Sequence, residues 1–419
     1  MQRYDPLRAA FEIREQLASE KRRLAFFFGA GSSMAVGMPG IDKLTAMVAE
    51  RLKDTTKTAF ESILTQLPSG SNVEDALDRI RTCRELIGGS ETKTVEGITG
   101  ASAARALDLS VCQAIGECVR GDPTKGSKPH LTFSQWLRAL HGSRDFPVEI
   151  FTTNYDLLFE QALERSGVPY FDGFSGSVAP FFVPECVEAD QGRADESVYP
   201  PRTWTRLWKL HGSINWHLQD IGAGRGRITR YSGPSINAGE ELVIFPSRDK
   251  YAESRKLPFL SFQDRLRKLL CRGESLLLIL GYSFSDEHLN EIIFQGLRSN
   301  PRSAAIAFVY GEKPDSKSST LCLSERMLNY GREFRNLALY GPDKVCIGGL
   351  ISSWDDQPSK RKETDASSFW DDKNKRFALG EFNAFVTFLE AFIGFHPPSR
   401  LQSGYVEPAE KPQPSEASK

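Results

Sequence analysis

What this sequence lacks narrows its function early. There is no Cys-x-x-Cys pair: the seven cysteines (Cys83, Cys112, Cys118, Cys186, Cys271, Cys322 and Cys346) are scattered and odd in number. That excludes the usual zinc ribbon and the thioredoxin-type redox motif, and fits free thiols in a reducing cytoplasm. No stretch approaches 18 consecutive apolar residues, so no membrane span is expected. The first 23 residues are charged throughout and have no apolar core of the kind a secretory signal needs. A formal charge of −1 over 419 residues gives no overall field to draw nucleic acid. Repeats of fixed period are missing as well.

What is present is a globular composition, 40% hydrophobic and 11% aromatic, enough for a sizeable core. Residues 7–20 have helical spacing and lead into Leu24–Phe28, a wholly apolar run that reads as a strand buried on both faces of a parallel sheet. A helix carrying Leu44, Met47, Val48 and Leu52 follows. From about Phe60 to Leu140 the pattern stays helical, clearest at Ala101–Val119, which predicts an inserted helical module at about 55–145. Strand-type runs return at Val148–Thr152, Arg206–Leu210, Leu242–Phe245, Leu276–Leu280 and Ala304–Tyr310. The first and fourth are followed by a polar turn and then a helical pattern. That rhythm predicts a doubly wound, mostly parallel α/β domain over 1–350, with a Gly/Ser-rich loop or hairpin near 220–240. Beyond it, 351–396 reads as a charged loop (354–377) and a helix striped by Phe382, Phe385, Val386, Leu389, Phe392 and Ile393. That stripe would pack on the chain's own core or form an oligomer contact. The last 23 residues hold five prolines and few apolar side chains, so 397–419 is expected to be a disordered tail.

Four polar segments stand at predicted strand ends. Gly29-Ala30-Gly31-Ser32-Ser33 follows Leu24–Phe28, where glycines let backbone approach a ligand and the next amides favour phosphate. It is neither a dehydrogenase fingerprint, because Met34 stands where Gly-x-Gly-x-x-Gly needs its third glycine, nor a P-loop, because Gly-Lys-Ser/Thr is missing. Thr152-Thr153-Asn154-Tyr155-Asp156, Lys209-Leu210-His211-Gly212-Ser213 and Gly281-Tyr282-Ser283-Phe284-Ser285-Asp286 are the other three. Singly, each has a plainer reading. Asn154 and Asp156, or Ser285 and Asp286, also suit turn and cap positions, and His211 could be a satisfied core residue. His130, His141, His217, His288 and His396 lack such settings and read as structural. Together, four polar turns at four strand ends should converge on one crevice.

GAGSS, TTNYD, KLHGS and GYSFSD, in that order over about residues 20–312, resemble the signature blocks of the sirtuin-like domain. Their wording is similar to the branch found in prokaryotic anti-phage defence proteins, including those encoded beside a HerA-like ATPase. The resemblance implies a Rossmann-like fold of sirtuin type and NAD as substrate. It implies that Gly29, Ala30, Gly31 and Ser32 hold the NAD phosphates and that Asn154 contacts the nicotinamide ribose. Asp156 would lie near the carboxamide, His211 matches the catalytic histidine, and Gly281 and Ser283 match a loop on the adenosine side. Thr153 falls in the same binding set. Two departures matter. Pro39 is followed by Gly40-Ile41-Asp42 where deacetylases continue Pro-Asp-Phe-Arg, and the zinc-binding cysteine pairs are absent, so no metal is expected.

These departures favour an NAD hydrolase that delivers the ribosyl group to water, with a defence role through NAD depletion. An NAD-dependent protein deacylase and a non-catalytic NAD- or ADP-ribose-binding subunit are the alternatives. Nicotinamide leaves without a general acid, so the demand is to stabilise an oxocarbenium-like ribose and place water on its open face. Asn154 can hold a hydroxyl or water, and His211 can take a proton near neutral pH. A free NAD hydrolase would poison its host, so control by assembly is expected, as a homo-oligomer and with a HerA-like ATPase as first candidate partner.

Overall fold

The computed structural model describes residues 3–121, 127–188, 200–220, 226–231, 241–244, 258–311, 323–355 and 369–391. Ten strands form one large sheet: β1 (Arg3–Tyr4), β2 (Arg23–Phe28), β3 (Glu149–Thr152), β4 (Tyr170–Phe171), β5 (Thr205–Lys209), β6 (Ser275–Leu280), β7 (Ser303–Phe308), β8 (Leu337–Tyr340), β9 (Lys344–Ile347) and β10 (Leu350–Trp354). Their spatial order is β1-β10-β9-β8-β7-β6-β2-β3-β5-β4. From β8 through β4 every neighbouring pair is parallel. Only β9, which pairs antiparallel with both β8 and β10, interrupts the direction.

The central strands explain why helices must cover both faces. In β2, Leu24, Phe26 and Phe28 enter one core while Ala25 and Phe27 enter another. In β6, Leu276, Leu278 and Leu280 join the first core, and Leu277 and Ile279 the second. A period of two with apolar residues at every position has no solvent face. Helices Pro6–Ala18, Lys128–Ala139, Leu158–Arg165 and Phe382–Glu390 close the first core. Phe259–Cys271, Glu287–Ser299 and Glu325–Glu333 close the second. This is a Rossmann-like α/β architecture.

A third apolar cluster lies outside the layered domain. It is built from helices Ile41–Arg51, Asp54–Gln66, Val73–Ile87 and Ala101–Val119, and it also takes in Tyr155, Leu157 and Ile214. A two-residue hairpin, Thr94–Val95 with Ile98–Thr99, interrupts the helices where the sequence predicts none. Lys128–Ala139 belongs to the sheet, because its Phe133, Trp136 and Leu137 pack under β2.

Two further differences from the sequence reading have local causes, and one open alternative resolves. Glu241–Ile244 is a strand, but it pairs antiparallel with Gly212–Asp220 in a separate five-stranded sheet that also holds Gly226–Arg230. Residues 369–377 carry a short hairpin in place of an open loop, anchored by buried Trp370 and Phe377, with Phe377 stacked on Trp354 at 4.5 Å. The stripe Phe382, Phe385, Val386 and Leu389 is buried within this chain against Phe26, Phe28 and Phe308. Phe245, Cys322, Phe392, Ile393 and the expected tail at 397–419 lie outside the described residues. No helix among the described residues is long and apolar enough to cross a membrane.

Candidate functional site

Strand β2 is flanked by β3, which follows it in sequence, and by β6, which arrives 247 residues after β2 ends (Phe28 to Ser275). The sheet's order therefore reverses between β2 and β6, and their carboxyl ends form the crevice where such folds place ligands. The two loops there touch through backbone alone. Gly29 N donates to Leu280 O at 2.9 Å and Gly31 N to Gly281 O at 3.0 Å. A Cβ on Gly29 would lie 2.4 Å from Gly281 O, and one on Gly31 would lie 2.6 Å from Gly281 Cα. Gly281 itself sits at φ +63°, with Ser32 N 2.7 Å from where its Cβ would be. Only glycines allow this approach.

The TTNYD segment closes onto the same loop. Asn154 is buried, and its Nδ2 donates to Gly29 O at 3.2 Å, Ser32 Oγ at 3.0 Å and Ser33 Oγ at 2.8 Å. Ser32 Oγ donates onward to Gly29 O at 2.9 Å, and Ser33 Oγ to Asp156 Oδ2 at 2.6 Å. Because a carbonyl and two hydroxyls with committed protons can only accept, the amide must face them with its nitrogen. Oδ1 of Asn154 is then the group left to accept from a ligand, and it takes no hydrogen bond among the described residues. Asp156 uses its other oxygen locally, accepting from Leu158 N at 3.0 Å at the start of helix Leu158–Arg165. The helix-start and network readings of Asp156 both hold.

The third segment is bolted to the second by a buried cation. Lys209 Nζ donates to Tyr155 O at 3.3 Å, Ser213 Oγ at 2.8 Å, Glu160 Oε1 at 2.9 Å and the Asp156 carbonyl. Burial pushes the Glu160 carboxyl above its usual range, and Lys209 pulls it back only in part. His211, the residue after Leu210, reaches the fourth segment: its Nε2 lies 3.1 Å from Asp286 Oδ2. Asp286 Oδ1 accepts from Leu289 N at 3.1 Å and so caps helix Glu287–Ser299. The GYSFSD turn is further held by Tyr282 Oη donating to Asn290 Oδ1 at 2.9 Å, and by Asn290 Nδ2 donating to Phe284 O at 2.8 Å. Phe284, at φ +56°, keeps its ring buried.

The four segments thus close a ring: glycine loop to Asn154, Tyr155 and Asp156 to Lys209, His211 to Asp286, and Gly281 back to the glycine loop. Residues 148–330 match the family described as SIR2-like domain. The match supports a sirtuin-like domain, and a SIR2-like domain implies involvement of NAD. It takes in three of the four segments and begins after the glycine loop, which the ring joins to them. A comparison with curated proteins finds no match.

Within the SIR2-like region and its loop, the sequence-derived residues fall as follows. Gly29, Gly31, Ser32, Asn154 and Gly281 form one chain of contacts, Asp156 joins it through Ser33, and His211 reaches Asp286 of the GYSFSD turn. Ala30 is exposed at the head of the single turn Ala30–Met34. Thr153 is half-buried, its amide donating to Phe28 O at 3.2 Å. Ser283 is exposed and pairs with Ser285 at 2.9 Å. The amides of Gly31 and Ser32 already donate to Gly281 O and Gly29 O. Three contributors have no role in the sequence reading: Ser33 beside Ser32, Lys209 in KLHGS, and Asp286 as partner to a histidine. Each stands inside a quoted motif, which was the available signal.

Among the described residues no group of three or more His, Cys, Asp or Glu is placed to hold a metal ion. A small cleft opens at the other end of the sheet, lined by Arg23, Glu149, Glu188, Arg265, Lys268 and Arg272. None of the four segments reaches it. Its buried acid, Glu149, accepts from Arg265 Nε at 2.7 Å, Arg265 Nη2 at 2.8 Å and Trp208 Nε1 at 2.8 Å, so both of its oxygens are taken.

Proposed function

We propose that this chain binds NAD across the β2/β6 crevice and hydrolyses it to nicotinamide and ADP-ribose. One observation carries the reading: an asparagine acceptor and a histidine ring nitrogen, both without partners among the described residues, stand on a closed ring of segments at the switch point of a SIR2-like domain. The C1′–N bond breaks with its electron pair passing to nicotinamide. Water adds to the oxocarbenium-like carbon and releases one proton. Asn154 Oδ1 holds a ribose hydroxyl or the water, and His211 takes the proton, a role that typically contributes about 10²–10⁴-fold. The glycine loop holds the diphosphate, with Gly281 and Ser283 on the adenosine side. The remaining acceleration comes from orientation and preorganised dipoles.

The finer biology rests on the resemblance of the four motifs. The chain acts in the cytoplasm as a homo-oligomeric effector that depletes NAD in anti-phage defence, under the control of a HerA-like ATPase partner. Incubation of the purified chain with NAD alone, with and without that partner, tests the chemistry. Nicotinamide release without any acyl peptide is expected. Release that depends strictly on an acyl-lysine peptide would show a deacylase instead. Asn154→Ala and His211→Ala should each lower release at least about 100-fold with the thermal transition retained. Wild-type turnover by both variants would end the hydrolase reading.

A further inference from the structure

Beyond capping its helix, Asp286 is the hydrogen-bond partner of the His211 ring. Its carboxylate is held at two points. Oδ1 accepts from Leu289 N at 3.1 Å as the helix cap, and Oδ2 faces His211 Nε2 at 3.1 Å. Its carbonyl is fixed too, accepting from Tyr282 Oη at 3.1 Å and Asn290 N at 3.0 Å. With Asp286 and the His211 side chain only 8% and 15% exposed, little water competes for this contact. A carboxylate aimed at one ring nitrogen fixes the tautomer, because it can only accept.

We propose that Asp286 is a positioning residue that holds His211 as the Nε2–H tautomer, so that Nδ1 is the atom that takes the proton from the attacking water. Nδ1 has no hydrogen bond among the described residues. As C1′–O bond formation proceeds, the proton passes from water to Nδ1, and Asp286 stabilises the imidazolium without itself being protonated. The tautomer follows from the Asp286–His211 contact; the proton transfer rests on the hydrolase reading above.

The test uses the full chain and three variants. Asp286→Asn keeps a side chain able to cap Leu289 but can present a donor to Nε2; Asp286→Ser also caps the helix but is too short to reach the ring. His211→Gln identifies the ring signals. In ¹⁵N-histidine spectra the wild type should show His211 with a protonated Nε2, and both Asp286 variants should shift the ring toward Nδ1–H or a mixture. In turnover, Asp286→Asn and Asp286→Ser should lower kcat about 10²–10⁴-fold, with ADP-ribose binding and thermal unfolding close to wild type. An Nδ1–H tautomer in the wild type, or Asp286 variants with wild-type kcat while His211→Gln is inactive, would overturn the proposal. If His211→Gln itself turns over normally, the hydrolase mechanism fails, and the tautomer measurement alone decides what Asp286 does.

Discussion

At the amino ends of the parallel strands, the buried carboxylate of Glu149 is fully answered: Arg265 and Trp208 occupy both its oxygens. At the carboxyl ends, Lys209 is answered just as fully by Glu160, Ser213 and two carbonyls, but its neighbours are not. Asn154 Oδ1 and His211 Nδ1 remain without partners among the described residues. Buried charge is shared by both ends, and unclaimed polar atoms occur at both as well, Ser275 Oγ at the amino end of β6 among them; the carboxyl end differs in that its unclaimed atoms belong to two of the four motif segments. On that ground the cleft beside Arg265 is a braced corner, and the ring beside Asn154 is the proposed binding site.

The largest expected effect contrasts the two buried cations. Lys209→Met and Arg265→Met each strand a buried carboxylate and should lower stability by about 3–5 kcal/mol, read from urea midpoints. Only Lys209→Met should also abolish nicotinamide release by the folded fraction, because it unfastens Tyr155 and Asp156. An inactive, folded Arg265→Met would break the comparison. The Lys209→Met deficit should also grow with pH. The Glu160 pKa is already raised in the fold, so stability from its protonated form is present below the unfolded value and lost as pH rises through the folded one. Removing the cation raises that folded value further, and the variant should be closer to wild type at pH 5 than at pH 8.

The two ends of β6 provide a finer contrast. Gly281 and Gly273 have nearly the same φ, +63° and +67°, but only Gly281 has backbone where a Cβ would go. Gly281→Ala should lower stability by about 3 kcal/mol, combining left-handed strain with overpacking, and should abolish activity. Ser33→Ala comes next. It removes the donor to Asp156 and an acceptor for Asn154, for about 2 kcal/mol, with a fall in kcat measurable at a temperature where the variant stays folded. Gly273→Ala is the smallest, at about 1 kcal/mol of strain, with unchanged turnover. Equal losses for both glycine variants would show that the β2/β6 contact is not as tight as the backbone distances require.

The sheet's centre was legible because β2, β6 and β7 are short runs apolar at almost every position, a pattern that strands covered on both faces need, while β3 and β5, which carry Glu149, Arg206 and Lys209, showed through shorter apolar runs beside their polar turns. The outer strands β1, β4, β8, β9 and β10 were not, because they are only two to five residues long and some, such as Lys344–Ile347, mix polar and apolar residues and owe their structure to their neighbours. Helix Phe259–Cys271 was missed although Phe262, Leu266, Leu269 and Leu270 mark a buried face. In the site, motif order brought the right segments together, but partner choice lay beyond sequence. Nothing in the spacing says that Asp286 should turn one oxygen to its own helix and the other to a histidine 75 residues earlier, or that Asn154 should face inward with its nitrogen.

The late arrival of β6 in the middle of the sheet has a consequence for biosynthesis. A growing chain that ends before Ser275 has no strand to place between β2 and β7, no Gly281 against the glycine loop and no carboxylate for His211. Shorter translation products and early proteolytic fragments therefore cannot assemble the crevice, however much helical structure they contain. For a protein whose proposed activity destroys a nucleotide every cell depends on, the order of the strands is itself a safeguard during synthesis.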